Sequence, residues 1–381
     1  MTGLATASFF AFGTLLVLFG ANATRILASF ELDYADFGLL GSMLSVGLGV
    51  GIVVAGPIAD RLPRRPLYIA SCALVIAATM TLGPQTTFDQ LLVRMIAIGF
   101  GAGFYETVLS VIIIEEFGDG ARRRLLFIHS GAPLAACAVP LLIGWLRVSF
   151  EFEWYTTFQM AGWMHVPLIV AACLQSMEVT PRAMATPKLA SKGSADSSVE
   201  DRFALAAICA AVFAYVGVES ALTLFVVDHT VTDLGLGDAR AAQTISAFWA
   251  GLLIGRLASG ISPRSPGAGA TAVSACLGAA ILLAFGLGWF SSPELAMGMA
   301  GLVLGGVFPV MIGLAGRSLP ASPATAVGLA GGLGSLGGFV VPWCTGRLAQ
   351  ADGLPFAISV LGAWLLLLAA AALAARTRQR G

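Results

Sequence analysis

Five charged side chains stand inside long apolar stretches of the sequence. They are Arg25, Arg94, Glu106, Glu219 and Arg256. At bilayer depth each such charge costs about 2.5–3.5 kcal/mol on insertion scales, so each requires a structural or functional reason. A guanidinium can bind a carboxylate or phosphate through two hydrogen bonds, and a carboxyl group in an apolar site can carry a proton. These residue types therefore indicate anion binding and proton transfer.

We interpret Arg25 as a substrate-binding residue, and Glu106 and Glu219 as residues for substrate binding and proton coupling. A permanent Arg–Glu bridge that merely ties helices together would explain the same residues, and Arg94 could simply reach the membrane interface with its long side chain. Further polar and aromatic residues that could form the wall of a binding site are Asn22, Tyr105, Tyr215, Gln243 and Trp249.

The sequence offers little for other kinds of chemistry. Its six cysteines are scattered singly, with no CxxC pair, and are interpreted as small apolar residues: Cys72, Cys137, Cys173, Cys209, Cys276 and Cys344. We see no Walker motif, no arrangement typical of a catalytic nucleophile and no basic face for nucleic acid. We therefore expect no enzyme activity, no cofactor, no metal site and no nucleic-acid partner.

Composition places the chain in a lipid bilayer. Of its 381 residues, 57% are hydrophobic and 11% charged, and the mean hydropathy is +0.88. A hydrocarbon core about 30 Å thick needs roughly 20 apolar residues per helical crossing. Twelve segments qualify, and we interpret the first as a retained helix rather than a signal peptide: 6–29, 37–60, 66–84, 90–114, 125–146, 154–175, 203–227, 240–261, 268–289, 294–315, 323–346 and 355–375.

Loop charges orient these segments. With the N-terminus in the cytoplasm, the inner loops and tails hold fifteen basic residues, and the outer loops hold Arg147, Arg240 and Arg347. This bias follows the positive-inside rule and predicts an all-α protein of twelve transmembrane helices with both termini cytoplasmic. Residues 177–202 are polar, so they are predicted to form a cytoplasmic linker between an N-terminal six-helix bundle, 1–176, and a C-terminal one, 203–381. Two such halves are typical of a rocking transporter that binds its substrate near the midplane between them.

The loop after the second segment carries a family resemblance. Residues 56–65, GPIADRLPRR, resemble the GxxxDRxGRR signature of the major facilitator superfamily, and a weaker echo, GRLASG, begins at Gly255. The resemblance implies that Asp60, Arg61, Arg64, Arg65 and Arg256 pair across helix ends and latch one conformational state. The segment Gly305–Pro309 is similar to the GxxFP pattern of the tenth helix of that family, and residues 331–346 look like its eleventh.

A narrower resemblance is to fucose-permease-like sugar–proton symporters. Residues 99–107, GFGAGFYET, are similar to their fourth-helix GLGxGxxET pattern, and YVGVE at 215–219 is similar to a seventh-helix motif. The resemblance implies a role in substrate binding and proton coupling for Glu106, and implies that Arg25, Glu106 and Glu219 converge on one cavity. Those permeases have an acidic residue in an NDIL context where this chain has Arg25, which favours an anionic substrate over fucose.

We therefore expect a secondary active transporter of the inner membrane, monomeric and proton-coupled, that moves a small organic anion or an acidic sugar derivative by alternating access. A drug or metabolite exporter is one alternative. A non-transporting assembly factor for a membrane complex is another, although such a scaffold has little reason to retain Arg25 and Glu106 in the membrane.

Overall fold

The computed structural model describes residues 1–59, 61–117, 121–150, 152–175, 177, 199–261, 267–319 and 323–377. Over these residues the chain is helical. The helices are α1 (Thr2–Ala21), α2 (Ala23–Phe30), α3 (Tyr34–Ala59), α4 (Arg64–Met80), α5 (Phe88–Phe117), α6 (Ala121–His129), α7 (Gly131–Phe150), α8 (Trp154–Leu174), α9 (Val199–Thr232), α10 (Asp238–Ile261), α11 (Ala268–Gly286), α12 (Pro293–Leu304), α13 (Val307–Ser318), α14 (Pro323–Asp352) and α15 (Leu354–Thr377).

Apolar composition makes most of these helices fit a bilayer. In the part of the chain that is described, ten helical stretches are long and apolar enough to cross a membrane. Helices α4 and α10 are not among them, because α4 has only 17 residues and begins with two arginines, while α10 carries Asp238, Arg240 and Arg256. Each of the twelve predicted segments coincides with one helix or one interrupted pair. The number of crossings stays a prediction.

Three predicted segments are interrupted rather than continuous. The first breaks at Asn22, between α1 and α2, the fifth at Ser130, and the tenth at Gly305–Gly306, between α12 and α13. Asn22 has φ −105° and ψ 8°, and its Nδ2 donates to the Leu18 carbonyl at 2.6 Å. Asparagine and serine side chains compete for backbone groups in this way, and glycine weakens a helix because it lacks a side chain.

The chain divides into two compact units. The first comprises Met1–Arg182 with Thr223–Ser246, and the second comprises Ala183–Leu222 with Ala247–Gly381. In the first unit α3 packs on α5, α1 on α7, and α4 on both α5 and α8. The approach of α3 to α5 depends on glycine, since a Cβ at Gly47 would overlap the Ile96 carbonyl oxygen and one at Gly99 would overlap that of Leu44. Small residues allow such close packing where the bilayer provides no hydrophobic drive between helices.

The second unit also depends on glycine for the close packing of its helices. Helix α11 packs on α12 and α15, and α13 and α15 pack on α14. Between α10 and α12, a Cβ at Gly255 would overlap the Leu302 carbonyl oxygen, and one at Gly301 would overlap that of Phe248. This close approach brings the interruption of the tenth segment against α10.

Candidate functional site

The break in the first segment is built around two buried polar side chains. Asn22 is fully buried, and its Nδ2 also donates to Thr157 Oγ1 at 3.0 Å. A guanidinium nitrogen of Arg147 on α7 donates to Asn22 Oδ1 at 2.7 Å and to the Ala21 carbonyl at 2.8 Å. The Ala21 carbonyl lies at the end of α1, where backbone carbonyls lack intrahelical donors. The break is therefore stabilised by Asn22 itself, by Arg147 on α7 and by Thr157 on α8.

Arg147, assigned above to an outer loop, is a buried residue of α7. It is 6% exposed, and its Nε has no hydrogen-bond partner in the part of the chain that is described. The helix continues to Phe150, so the loop that hydropathy placed at Arg147 begins later. Hydropathy scoring treats arginine as a loop residue, and its long apolar stem together with two local acceptors explains how it is accommodated inside the protein.

Arg25 lies on α2, one turn beyond the break. Its side chain is half-buried and makes neither a hydrogen bond nor an ion pair with a described residue. Arg25 lies close enough to Arg147 for the two charges to repel each other. Arg147 is also attracted electrostatically to Asp238 at the start of α10. Two guanidiniums near one helix break, neither of them in a salt bridge with a described carboxylate, form a positively charged region. Such a region is suited to an anion.

Glu106 lies on α5, well inside the helix. It is half-buried and, within the described ranges, makes no hydrogen bond or ion pair. Its neighbour Tyr105 is fully buried in the interior of the unit, with its ring 6.2 Å from that of Tyr68 and 5.7 Å from that of His165. Adjacent helical residues point in directions about 100° apart. Tyr105 is therefore a packing residue of the first unit, whereas the role predicted for Glu106 in binding and proton coupling stays a prediction.

A second polar cluster lies in the second unit. Glu219 on α9 interacts electrostatically with Arg256 on α10 and with the Tyr215 hydroxyl, one helical turn away. Tyr215 is 2% exposed, and its ring lies 6.0 Å from that of Phe308 in the first turn of α13. Arg256 is thus a helix residue beside a carboxylate, and the latching role that the sequence resemblance implies for it stays a prediction.

The two remaining predicted wall residues, Trp249 and Gln243, differ in their exposure to solvent. Trp249 on α10 is 4% exposed, and among described residues its Nε1 has no hydrogen-bond partner. Gln243, two turns earlier, is exposed. The convergence of Arg25, Glu106 and Glu219 on one site stays a prediction.

The end of α9 holds polar residues that hydropathy had assigned to a loop. Asp228 is 1% exposed and accepts a hydrogen bond from Tyr34 Oη at 2.8 Å. The next residue, His229, is equally buried, and its Nδ1 lies 2.8 Å from Asp233 Oδ2. The unbroken run from Ala221 to Val227 could have suggested that the helix continues, but the spacing of Asp228 and Asp233 is equally typical of an acidic loop.

The signature loop ties together the ends of helices in the first unit. Both guanidinium NH2 groups of Arg64 donate to the Glu115 carboxylate near the end of α5, and Arg65 donates to the Gln175 carbonyl beyond α8 at 2.6 Å. Arg61 is exposed, and Asp60 lies outside the described residues. A bidentate pair of this kind is among the stronger charged contacts in proteins. A latching role for Asp60, Arg61, Arg64 and Arg65 stays a prediction.

In the described ranges, His, Cys, Asp and Glu residues do not assemble into groups of three or more that could hold a metal ion. The described cysteines are all free thiols.

Comparison with known proteins identifies the family of the chain. The model of the Major Facilitator Superfamily matches residues 4–342. The cis,cis-muconate transport protein of Acinetobacter baylyi is 24% identical over 372 residues, which cover 92% of this chain and 87% of that protein. The multidrug resistance protein MdtL of Escherichia coli is 27% identical over 165 residues, and there the match spans 42% of this chain and 41% of the relative.

Solved structures of low sequence identity share the fold. A bacterial homolog of the human lysosomal transporter Spinster has a TM-score of 0.79 at 17% identity, covering 100% of this chain and 97% of that one. A D-xylose–proton symporter has a TM-score of 0.77 at 15% identity, covering 97% and 95%. The match of the family model over most of the chain, its apolar helices and its transporter relatives lead to one conclusion: the chain belongs to the Major Facilitator Superfamily and is a multi-pass membrane transporter, not an enzyme.

Proposed function

We propose that the chain is a secondary active transporter that moves a small organic anion across the inner membrane by alternating access. The observation that carries this proposal is the half-buried guanidinium of Arg25, which has no described partner and interacts electrostatically with the buried guanidinium of Arg147. An uncompensated positive charge in an apolar protein is costly, so a site that keeps one is expected to receive a negative ligand.

One relative supports the substrate class. The Acinetobacter protein is named for cis,cis-muconate, a small dicarboxylate, and the match extends over nearly the whole of both chains. At 24% identity the substrate itself need not be shared. We therefore propose the class of small carboxylates, which includes acidic sugar derivatives, and use muconate as its first test compound.

Proton coupling is the second part of the proposal. Glu106 has no described partner, and Glu219 has a cationic neighbour that a substrate could displace. A carboxyl group that is alternately paired and exposed can bind and release a proton once per transport cycle. We assign proton coupling to Glu106 and Glu219, with Tyr215 and Trp249 as neighbouring wall residues. Among the other predicted wall residues, Asn22 is held in the helix break, Tyr105 packs inside the first unit and Gln243 is exposed.

The proposed topology has twelve crossings with both termini in the cytoplasm. Residues 1–176 and 203–381 form two six-helix bundles, residues 177–202 link them, and the protein is a monomer. Support comes from the agreement of the twelve apolar segments with the helices and from the basic inner loops.

Drug export is the second candidate, because MdtL matches part of the chain. A cationic drug would be repelled by the guanidinium of Arg25, so Arg25 disfavours export of cationic compounds. Ethidium efflux from cells that overproduce the chain separates the two candidates: organic-anion transport predicts no efflux, whereas strong efflux that survives Arg25→Gln would favour export.

The direct test is transport by purified protein in proteoliposomes. Counterflow of labelled cis,cis-muconate is measured for the wild type, for Arg25→Gln and for Arg94→Gln as the matched control. Arg94 is half-buried, and its guanidinium makes exposed hydrogen bonds to Thr81, just after α4, and to Gln90, in the first turn of α5. We expect Arg25→Gln to raise KM about tenfold or more, since a hydrogen bond to a charged group contributes about 1.5–3 kcal/mol, and Arg94→Gln to resemble the wild type. Equal KM values for Arg25→Gln and the wild type would contradict the role of Arg25.

A further inference from the structure

The second unit contains a half-buried cation, Arg256, beside the interruption of the tenth predicted segment. Glycine allows the interruption to approach Arg256 closely, since a Cβ at Gly305 would lie 2.7 Å from the backbone nitrogen of Arg256. The hydrogen bonds that flank the interruption are Gly305 N–H to the Gly301 carbonyl, at 2.8 Å, and Val310 N–H to the Gly306 carbonyl, at 3.3 Å. Helix α13 begins between them, at Val307. The first N–H groups of a helix lack intrahelical acceptors and carry partial positive charge.

Buried hydrogen-bond donors surround this point. The Tyr215 hydroxyl lies beside Arg256 and Glu219, and the Tyr215 ring packs on Phe308 at the start of α13. Tyr215 is almost fully buried, and its hydroxyl lies beside the Glu219 carboxylate, whereas Arg256 Nε has no hydrogen-bond partner among the described residues. A buried donor without an acceptor costs about 1–3 kcal/mol, so the unpaired Arg256 Nε beside the N-terminus of α13 indicates that this cluster can bind a further carboxylate.

We propose that Arg256 and the Tyr215 hydroxyl bind a carboxylate group of the transported anion, and that Glu219 occupies the same guanidinium when the anion is absent. This inference rests on the proposed function and names the residues of a second anion contact. Glu219 supplies the same chemical group as the ligand, so the two carboxylates compete for Arg256. Bidentate contact with a guanidinium then gives directional selectivity for a planar carboxylate over a neutral group.

A purely structural Glu219–Arg256 pair makes a different prediction. Breaking a structural pair from either side destabilises the protein and impairs transport, because one buried charge is left without its partner. Competition instead predicts opposite effects of the two changes on the affinity for the anion. Loss of Arg256 weakens binding, whereas loss of the Glu219 charge removes the competitor and strengthens binding.

The test measures binding and transport of cis,cis-muconate by the purified full-length protein. The variants are Arg256→Gln, Arg256→Lys, Tyr215→Phe and Glu219→Gln, with Arg94→Gln as the control. We expect the KM to rise at least about tenfold in Arg256→Gln, less in Arg256→Lys and Tyr215→Phe, and to fall in Glu219→Gln. Stabilisation against thermal unfolding by muconate in detergent should follow the same order.

The outcomes separate this inference from the proposed function. If the wild type transports and binds neither muconate nor any other small carboxylate, the proposed function fails. If the wild type transports muconate but Arg256→Lys and Tyr215→Phe keep its KM, or if Glu219→Gln weakens binding as much as Arg256→Gln does, the second anion contact is overturned. Tyr215→Phe removes one oxygen atom only, so it is informative even if Arg256→Gln does not fold.

Discussion

Arg147 shows how a single side chain can organise a transmembrane helix. The guanidinium binds the carbonyl of Ala21 and the amide oxygen of Asn22, so it occupies acceptors exposed by the break between α1 and α2. The break separates α1 from α2, which carries Arg25. The position of Arg25 inside the membrane stays a prediction, and the sequence analysis missed the buried Arg147, because a charge near the end of an apolar run resembles a loop residue until its acceptors are known.

Replacing Arg147 is expected to destabilise the protein. Arg147→Leu removes two hydrogen bonds from a charged donor and leaves Asn22 Oδ1 without its buried partner, a loss of about 2–4 kcal/mol. The measurement is the thermal unfolding midpoint in detergent, with Arg94→Leu, whose wild-type side chain makes only exposed hydrogen bonds to described residues, as the control. An Arg147→Leu midpoint equal to that of Arg94→Leu would show that these bonds contribute nothing to stability.

Glu106 is expected to carry a proton. Glu106→Gln keeps the size and polarity of the side chain but cannot ionise, so it should abolish uptake driven by a pH gradient while leaving counterflow exchange nearly intact. Both activities are measured in the same proteoliposomes. Gradient-driven uptake by Glu106→Gln at the wild-type level would exclude Glu106 as the proton carrier.

At the scale of the helices, glycine explains much of what the sequence motifs contain. In the stretch that resembles the fourth-helix pattern of sugar symporters, Gly99 and Gly103 contact the backbone of α3, so these two motif residues serve helix packing. The positions of the helices could be predicted from apolar run length alone. Their interruptions could not, because a break at Asn22 or Gly305 depends on acceptors and neighbours that come from other helices.

A pair of substitutions in α3 tests the packing argument. Gly47→Ala places a methyl group against the Ile96 carbonyl and should lower stability by about 1–3 kcal/mol. Gly56→Ala lies in the same helix with nothing within 4 Å of the added methyl, so it should be neutral or stabilising by up to about 1 kcal/mol, owing to the better helix propensity of alanine. Equal unfolding midpoints for the two variants would contradict glycine-dependent contact between α3 and α5.

For the whole molecule, the twelve apolar segments predicted from the sequence coincide with helices or interrupted pairs of helices. The number of crossings and the orientation derived from the loop charges stay predictions. The two compact units differ from the predicted halves, since Thr223–Ser246 groups with the first. Sequence patterns identify individual helices. The grouping of helices into compact units depends on which helices contact each other, as α3 and α9 do through the hydrogen bond from Tyr34 to Asp228.

Cysteine labelling tests the topology. In a variant whose six native cysteines are replaced, Leu62→Cys lies in the turn after α3 and Gln85→Cys in the turn after α4, and both positions are exposed. A membrane-impermeant maleimide should label Gln85→Cys in intact cells and Leu62→Cys only after the cells are opened. Labelling of Leu62→Cys from outside would reverse the orientation.

The central claim, anion transport, is tested most directly by concentrative uptake. Purified wild-type protein in proteoliposomes is given labelled cis,cis-muconate or its neutral dimethyl ester, with and without an inward proton gradient. We predict that muconate accumulates above its external concentration only with the gradient, and that the ester neither accumulates nor competes. Equal handling of the acid and the ester, or transport of neither muconate nor any other small carboxylate, would contradict an anion transporter.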